Sequence, residues 1–332
     1  MPSPFDPVKR VAIVLPAFNE ARHVADVVRD IPAWVDSVIV VDDGSTDGTG
    51  SAVTALSDPR VELIAHDRNR GLGAAMRTGY RAALAGGCDL VVKMDADGQM
   101  APAELGRMLE PHALGLAEYT KGNRFYFHGR TRGMPGHRSF GNNVLSLLTK
   151  LASGYWHVYD SQCGYTVINR EYLALLDLDA LPDDYFFENA MLLHLNALRA
   201  RVVDVPTSTI YGAEVSGVGI VRVALTFPSR LLVAGAARFW RKHLVTDFSP
   251  VGVLTLLGLF ALAFGTAFGG FHWWLSVQTR QIASTGTVMI AVLPLAFAMQ
   301  MLAQAFTMSV LSSPGAAETA SYVRLLIARG EV

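Results

Sequence analysis

The sequence predicts an α/β domain built on a mostly parallel, doubly wound sheet, followed by juxtamembrane amphipathic helices and a C-terminal two-helix transmembrane hairpin. Three observations predict it. Short β-branched apolar runs alternate with helical patterns through the first two-thirds of the chain, and polar clusters stand at the ends of those runs. Between Asp247 and Glu318 the one formally charged residue is Arg280. Composition agrees: of 332 residues, 51% are hydrophobic and 17% charged, against about 25% charged in average usage, which excludes a disordered chain. A net charge of −1 offers no global attraction to nucleic acid, and none is expected as a partner. The two cysteines, Cys88 and Cys163, lie far apart in sequence and are too few for a disulfide framework or a cysteine-rich zinc site.

The elements follow in order. Met1–Arg10 lacks an apolar stretch of the kind a signal peptide carries, so none is expected there. Val11–Leu15, Val38–Val41, Val61–Ala65 and Leu90–Met94 read as strands buried on both faces. Helical patterns lie between them at Ala21–Asp30, Gly48–Leu56 and Gly73–Ala85, and that alternation implies parallel pairing. Ligands of such sheets bind at the carboxyl ends of the strands. The first strand leaves into Pro16-Ala-Phe-Asn19-Glu20, the second into Asp42-Asp43-Gly44-Ser45-Thr46-Asp47, and the fourth into Asp95-Ala-Asp97-Gly-Gln99. Each alone is also what a capped turn looks like. Three on one edge crowd carboxylates together, and such groups repel unless a cation or a donor-rich ligand lies between them. A hard divalent ion bridging a diphosphate fits that edge best.

These motifs, in this order and spacing, resemble the inverting family-2 glycosyltransferases of GT-A fold, and among them the dolichyl- and polyprenyl-phosphate sugar synthases. The resemblance covers roughly residues 8–219 and includes Asn69-Arg-Gly71-Leu-Gly73, a glycine turn before a helix. It implies that Pro16, Asn19, Glu20, Asp43, Gly44, Ser45, Gly71 and Asp95 bind a nucleotide sugar. Asp43 would lie near the base, and Glu20 near base or ribose. It further implies that Asp95, Asp97 and Gln99 hold Mg²⁺ or Mn²⁺ against the donor diphosphate, with Asp97, Arg124 and Arg138 catalytic.

The acceptor is addressed by the next segment. A hydroxyl acceptor requires a general base, whereas a phosphate monoester is already ionised, with a second pKa near about 6. Arg124, Arg130, Arg132 and Arg138 follow the metal motif closely, and arginine suits bidentate phosphate recognition. By the resemblance, Arg124 and Arg138 bind an acceptor phosphate, with Arg130 and Arg132 assigned beside them. Cys163 stands where the family commonly has Ser, and is read as a small buried residue. Glu188 falls where hydroxyl-acceptor relatives carry a catalytic carboxylate. Ile210–Gly217 departs from the basic stretch usual in mannose synthases. His128, His137 and His157 do not have zinc-motif spacing.

From Val218 to Leu244, Arg222, Arg230, Arg238, Arg241 and Lys242 interleave with Leu225, Phe227, Leu231, Leu232, Phe239 and Trp240. That mixture suits amphipathic helices at an anionic leaflet. Val251–Leu275 and Ile282–Leu311 are each long enough to cross the roughly 30 Å hydrocarbon core. Basic residues flank both outer ends while the loop has Arg280 alone, so the positive-inside rule places both termini in the cytoplasm. The expected parts are a catalytic domain over 1–217, interfacial helices over 218–249, a hairpin over 250–312 and a cytoplasmic tail over 313–332. The expected reaction is metal-dependent inverting transfer of one sugar from a UDP- or GDP-sugar to polyprenyl phosphate at the cytoplasmic face of the cell membrane, by a protein that can assemble as a homo-oligomer. Alternatives are transfer to a glycolipid or polysaccharide hydroxyl with Glu188 as base, and a non-catalytic scaffold or nucleotide-sugar sensor.

Overall fold

The computed structural model describes residues 9–126, 136–208 and 220–331, those at 136–143 and 220–225 in backbone only. The chain divides into two compact units, Met1–Gly235 with Pro314–Val332, and Ala236–Ser313.

The first unit is an α/β domain. In chain order it comprises β1 (Val11–Ala17), α1 (Val24–Asp30), β2 (Ser37–Asp42), α2 (Thr49–Thr54), β3 (Val61–Ala65), α3 (Leu72–Ala85) and β4 (Leu90–Lys93). Then come α4 (Leu105–Ala113), β5 (Tyr119–Asn123), α5 (Gly136–Ser153), β6 (Thr166–Asn169), α6 (Arg170–Leu175), α7 (Phe187–Ala197) and β7 (Val202–Pro206). Helix α8 (Ile220–Trp240) begins in this unit and ends in the other. The strand order is β3-β2-β1-β4-β6-β5-β7.

Strands β1 to β4 are mutually parallel, as the alternating sequence predicts. Strand β6 alone runs against its neighbours β4 and β5, and β7 returns parallel to β5. Two reversals restore the direction. Hence β1, β2, β4, β5 and β7 all end at one edge of the sheet, and β6 begins there. Side-chain alternation explains why the strands read as continuous apolar runs. Ala12, Val14, Ile39 and Val41 face one core with Met76 and Tyr80 of α3 and Phe187 of α7. Ile13, Leu15, Val38 and Val40 face the other, with Val27 and Val28 of α1 and Leu105 and Leu109 of α4.

Helices α9 (Pro250–Thr279) and α10 (Thr285–Leu311) make up most of the second unit. Ser249 and Ser284 cap their N-termini, and Pro250 opens α9, each by an ordinary start signal. At about 1.5 Å per residue both exceed the roughly 30 Å of a bilayer core, and both are apolar enough to cross it. Their packing is built on small residues seven apart. Gly258 and Gly265 lie against Leu302 and Leu295, and Ala298 and Ala305 are buried. Small residues at a helix seam allow the close approach that membrane helices use. Phe260, Phe264, Trp273, Phe297 and Met299 are exposed on the outside of the pair, where a soluble core helix would be polar.

The segment 313–332 differs from the expected tail. It forms α11 (Ala316–Ala328), which belongs to the first unit. Tyr322 and Leu326 are fully buried. The Tyr322 hydroxyl lies 3.0 Å from both the Arg107 carbonyl and Glu110 Oε2. The backbone N–H of Asp204 donates to Thr319 Oγ1 at 3.2 Å. This last bond matters because β7 is an edge strand, and an edge must be covered or capped. Apolar residues once per turn on a short, charged segment were the available signal for this helix.

Candidate active site

The exits of β1 and β2 are stapled together. Asn19 adopts a left-handed conformation (φ 60°), which Asn tolerates better than most residues. From there its N–H donates to Ser45 Oγ at 2.9 Å, and its Oδ1 accepts from the Thr46 N–H at 2.9 Å. The Glu20 N–H donates to Thr49 Oγ1 and the Ala21 N–H to Asp47 Oδ2. Asp42 Oδ1 accepts from the Ser45 N–H. Pro16 is buried within β1 opposite Val41, and Gly44 sits in the turn between Asp43 and Ser45 with positive φ. Asn19, Glu20, Asp43, Gly44 and Ser45 are therefore brought together as expected.

Asp43 has more partners than its sequence position suggests. Its carboxylate is nearly fully buried and accepts from the backbone N–H groups of Arg70 (3.0 Å) and Gly71 (2.7 Å). His66 Nδ1 lies 2.6 Å from the same carboxylate, and His66 Nε2 is 3.0 Å from Thr78 Oγ1. Asp43 thus ties β2 to the glycine turn that opens α3. Gly71 is required there, since φ is +98° and a Cβ would overlap the Asp183 carbonyl. That same carbonyl accepts from the Gly73 N–H at 2.7 Å, joining the turn to the segment before α7.

An open pocket is lined by Asp95, Asp97 and Gln99 from the exit of β4 and Arg124 from the exit of β5. Gln162, Cys163, Gly164 and Tyr165, which lead into β6, complete it with Thr207 and Ser208 after β7. The strand directions make this convergence necessary. Asp97 Oδ1 accepts from the Gln99 N–H at 2.9 Å, which shapes the turn. Thr207 and Ser208 carry no recognisable sequence signal. Tyr185 also escaped the sequence reading. Burial raises its pKa, as do the carboxylates of Asp95, Asp97 and Glu20, with Lys93 opposing.

Behind the pocket is a buried charge network that sequence reasoning missed. Lys93 Nζ contacts Asp95 Oδ1 at 2.7 Å and Glu188 Oε1 at 3.1 Å. Lys121 Nζ contacts Glu188 Oε2 at 3.2 Å and the Cys163 carbonyl at 2.7 Å. Burial penalises the charge on Lys93, but Asp95 and Glu188 outweigh it and raise its pKa. Burial likewise pushes Glu188 up, yet Lys93 and Lys121 hold it below the usual carboxylate range. Lysines in strands ordinarily read as solvated, and only their position two residues before Asp95 and Asn123 marked them. Gly164 leaves room for this network, since a Cβ there would lie 2.5 Å from Lys93 Nζ and 2.7 Å from Asp95 Oδ2.

Arg124 is held by a fork. Its Nε donates to Asp160 Oδ2 at 2.6 Å and its Nη2 to Asp160 Oδ1 at 2.9 Å, the bidentate geometry that fixes a guanidinium plane. The adjacent Asn123 donates to Asp204 Oδ2 at 2.6 Å and accepts from the Phe125 N–H. Asp204 Oδ1 is buried without a hydrogen-bond partner among the described residues. Burial pushes the Asp204 pKa up to about 7, against the lowering pull of Asn123. Cys163 is buried, and burial raises its thiol to about 11, in keeping with an inert packing residue. Arg138 falls on α5 in the backbone-only stretch, while Arg130, Arg132 and Ile210–Gly217 lie outside the described residues.

Among the described residues no group of three or more His, Cys, Asp or Glu forms a metal cage. The donor set nonetheless fits a hard divalent ion. Mg²⁺ is usually held by one or two carboxylates, with substrate phosphates completing the shell, and Asp95 and Asp97 line one open pocket.

Comparison with known proteins decides the family. The glycosyl transferase family 2 profile matches residues 12–177, half of the chain. The chain is a family-2 glycosyltransferase. Relatives in this family include the UDP-N-acetylglucosamine–dolichyl-phosphate N-acetylglucosaminyltransferase of Methanococcus voltae, 30% identical over 61% of this chain and 86% of that protein. The polyprenol monophosphomannose synthase of Mycolicibacterium smegmatis is 32% identical over 62% and 79%. The undecaprenyl-phosphate mannosyltransferase of Micrococcus luteus is 33% identical over 60% and 84%. In structure, this family-2 chain resembles glucosyl-3-phosphoglycerate synthase from Mycobacterium tuberculosis, solved with Mn²⁺, UDP and phosphoglyceric acid. The TM-score is 0.53 at 19% identity, over 70% of this chain and 78% of that one, which establishes the GT-A-like fold. The two apolar helices α9 and α10 lie beyond the family-2 match.

Proposed function

We propose that this glycosyltransferase moves one sugar from a nucleoside-diphosphate sugar to a polyprenyl phosphate at a membrane surface, with inversion at the anomeric carbon. The observation that carries the reading is the pocket shared by Asp95, Asp97 and Arg124. Carboxylates there suit the cation that accompanies a diphosphate, and a guanidinium suits a second, accepting phosphate. The three relatives named above, by name a transferase or synthase of dolichyl, polyprenol or undecaprenyl phosphate, support the same acceptor class.

Asp95, Asp97 and the Gln99 turn would hold Mg²⁺ or Mn²⁺. When bound, the ion offsets charge that develops on the departing nucleoside diphosphate. The stapled β1–β2 exits, with Asn19, Glu20, Gly44 and Ser45, form the nucleoside end. Asp43 acts there through the Arg70–Gly71 backbone that it positions. Asp160 aims Arg124 at the acceptor phosphate, and Arg138, with Arg130 and Arg132, is assigned to the same anion. An acceptor phosphate oxygen attacks the anomeric carbon as the bond to the diphosphate oxygen breaks. No proton need be removed, because the monoester is ionised near neutral pH.

The state of Glu188 favours this acceptor over a hydroxyl. A carboxylate buried between two lysines, with its pKa lowered, is a weak base and does not line the pocket. The hairpin α9–α10 is read as membrane-crossing, with both termini cytoplasmic by the distribution of basic residues. The test is transfer from a panel of labelled UDP- and GDP-sugars to polyprenyl phosphate, with Mg²⁺ or Mn²⁺ and then with EDTA. A lipid monophosphate sugar that disappears on chelation is expected. Donor hydrolysis with an unlabelled lipid would move the assignment to a hydroxyl acceptor, and absence of donor binding would leave a scaffold.

A further inference from the structure

Two buried lysines and a buried glutamate stand behind the pocket, and the register of the sheet explains why they meet. Lys93 on β4 and Lys121 on β5 are both paired with Thr166 of β6. Residues paired in register share one face of a sheet, so the two lysine side chains project on the same side. Glu188, in the first turn of α7, enters between them. Its Oε1 lies 3.1 Å from Lys93 Nζ and its Oε2 3.2 Å from Lys121 Nζ.

One carboxylate does not balance two ammonium groups. An uncompensated charge in a dry interior is costly, and the Lys93 side chain is 1% exposed. The balance comes from Asp95, whose Oδ1 accepts from Lys93 Nζ at 2.7 Å. Asp95 differs from the other three members in being 32% exposed and in lining the pocket. Its second oxygen, Oδ2, stands beside Gly164, another pocket residue. The same carboxylate therefore completes an interior charge set and lines the pocket.

Two ammonium groups and two carboxylates give this set no net charge before any ligand arrives. The neighbouring Arg124 is likewise matched by Asp160. We infer that Lys93, braced by Glu188 and Lys121, cancels the charge of Asp95 and so makes cation binding conditional on the diphosphate. A divalent ion arriving alone meets a carboxylate whose charge is already matched, with an ammonium group behind it. A nucleoside diphosphate brings the negative charge that the site withholds, so ion and diphosphate favour each other's binding, reciprocally. The inference rests on the proposed reading of Asp95 and Asp97 as holders of the cation that accompanies a nucleoside-diphosphate sugar.

The experiment follows Mn²⁺ binding to the full chain in detergent micelles by electron paramagnetic resonance, which needs no turnover. The unmodified chain should bind Mn²⁺ alone weakly, and at least about tenfold more tightly when UDP or GDP is present. Equal affinity with and without nucleotide overturns the inference. No Mn²⁺ binding with either nucleotide, or nucleotide-dependent binding that survives Asp97→Asn, overturns the reading of the pocket and the inference with it. Lys93→Met leaves the Glu188–Lys121 pair in place and should tighten binding of Mn²⁺ alone by about tenfold, because a unit charge beside the ion is removed. Glu188→Gln adds a net positive charge and should weaken it by about threefold or more. Circular dichroism verifies that each variant is folded, and where one is not, the other variant and the unmodified chain decide. If Lys93 merely held Asp95 in position, Lys93→Met would weaken Mn²⁺ binding instead. That result, or an unchanged affinity in the folded variant, overturns the inference, while nucleotide-dependent binding by the unmodified chain leaves the reading of the pocket standing.

Discussion

At the scale of single residues, charge pairing separates the groups that act from those that position. Asp97 lines the pocket, and Asp97→Asn should lower transfer by at least about a hundredfold, as expected when cation-mediated charge stabilisation is lost. Arg124→Ala should cost about ten- to a hundredfold in kcat/KM for the acceptor, the worth of one charge-assisted interaction. Glu188→Gln has a different signature. It leaves Lys93 and Lys121 under-compensated in a buried site, which destabilises by about 3–5 kcal/mol, so melting temperature should fall while turnover of the folded fraction stays within about tenfold. A large loss of turnover at unchanged stability would restore Glu188 as the base.

Asp204 supplies a prediction with a definite sign. Its pKa is raised to about 7 in the folded state, chiefly by burial, against about 3.9 when unfolded. The folded state therefore binds the extra proton between these values. The stability from that proton is complete below the unfolded pKa and is lost as pH rises through about 7. Asp204→Asn should flatten the stability profile across that window, which chemical denaturation at several pH values would reveal. A profile as steep as that of the parent chain would refute the assignment.

Among the elements, α11 is the one whose role depends most on tertiary contacts. It covers the edge strand β7, caps the Asp204 N–H through Thr319, and reaches α4 through Tyr322 and the ion pair of Arg329 with Glu110 at 2.5 Å. Tyr322→Phe removes a buried hydroxyl whose possible acceptors are the Arg107 carbonyl and Glu110, and should cost about 1–3 kcal/mol. The loss is measurable as a lower denaturation midpoint at constant m-value. Little of this was legible in advance. The segment has no motif, and its apolar residues become a face only when β7 and α4 are there to receive them. Strands β1, β2 and β4 were legible because burial on both faces demands unbroken apolar runs; β3, expected to be buried likewise, is instead a part-exposed edge strand carrying Glu62. Strands β5 and β7, with Lys121 and Asp204 inside them, were not.

For the whole molecule, the chain departs into α9 and α10 and then returns to its catalytic unit through α11. On the proposed reading of α9 and α10 as membrane-crossing, both ends lie on one side. With the basic residues placed before α9 and after α10, the proposed orientation predicts that Gln281→Cys, at an exposed position in the hairpin loop, reacts with an impermeant thiol reagent from outside intact cells. Glu331→Cys should react only after permeabilisation. The opposite pattern would invert the topology and with it the membrane face assigned to catalysis.

The sequence by itself determined the alternating α/β order, the three polar strand exits and the two apolar spans, because periodicity, turn chemistry and hydropathy are local properties. It also marked Asp95, Asp97 and Arg124, whose residue types are tied to short motifs. Only the tertiary structure decided that β6 reverses and so brings Cys163–Tyr165 to the same edge as Arg124. It alone revealed that Asp43 is occupied by His66 and a backbone turn, that Glu188 lies between two buried lysines, and that α11 returns to close the sheet. These are pairings between residues 23 to more than 200 positions apart. Their energies depend on burial and on which charge faces which, and neither exists until the chain has folded.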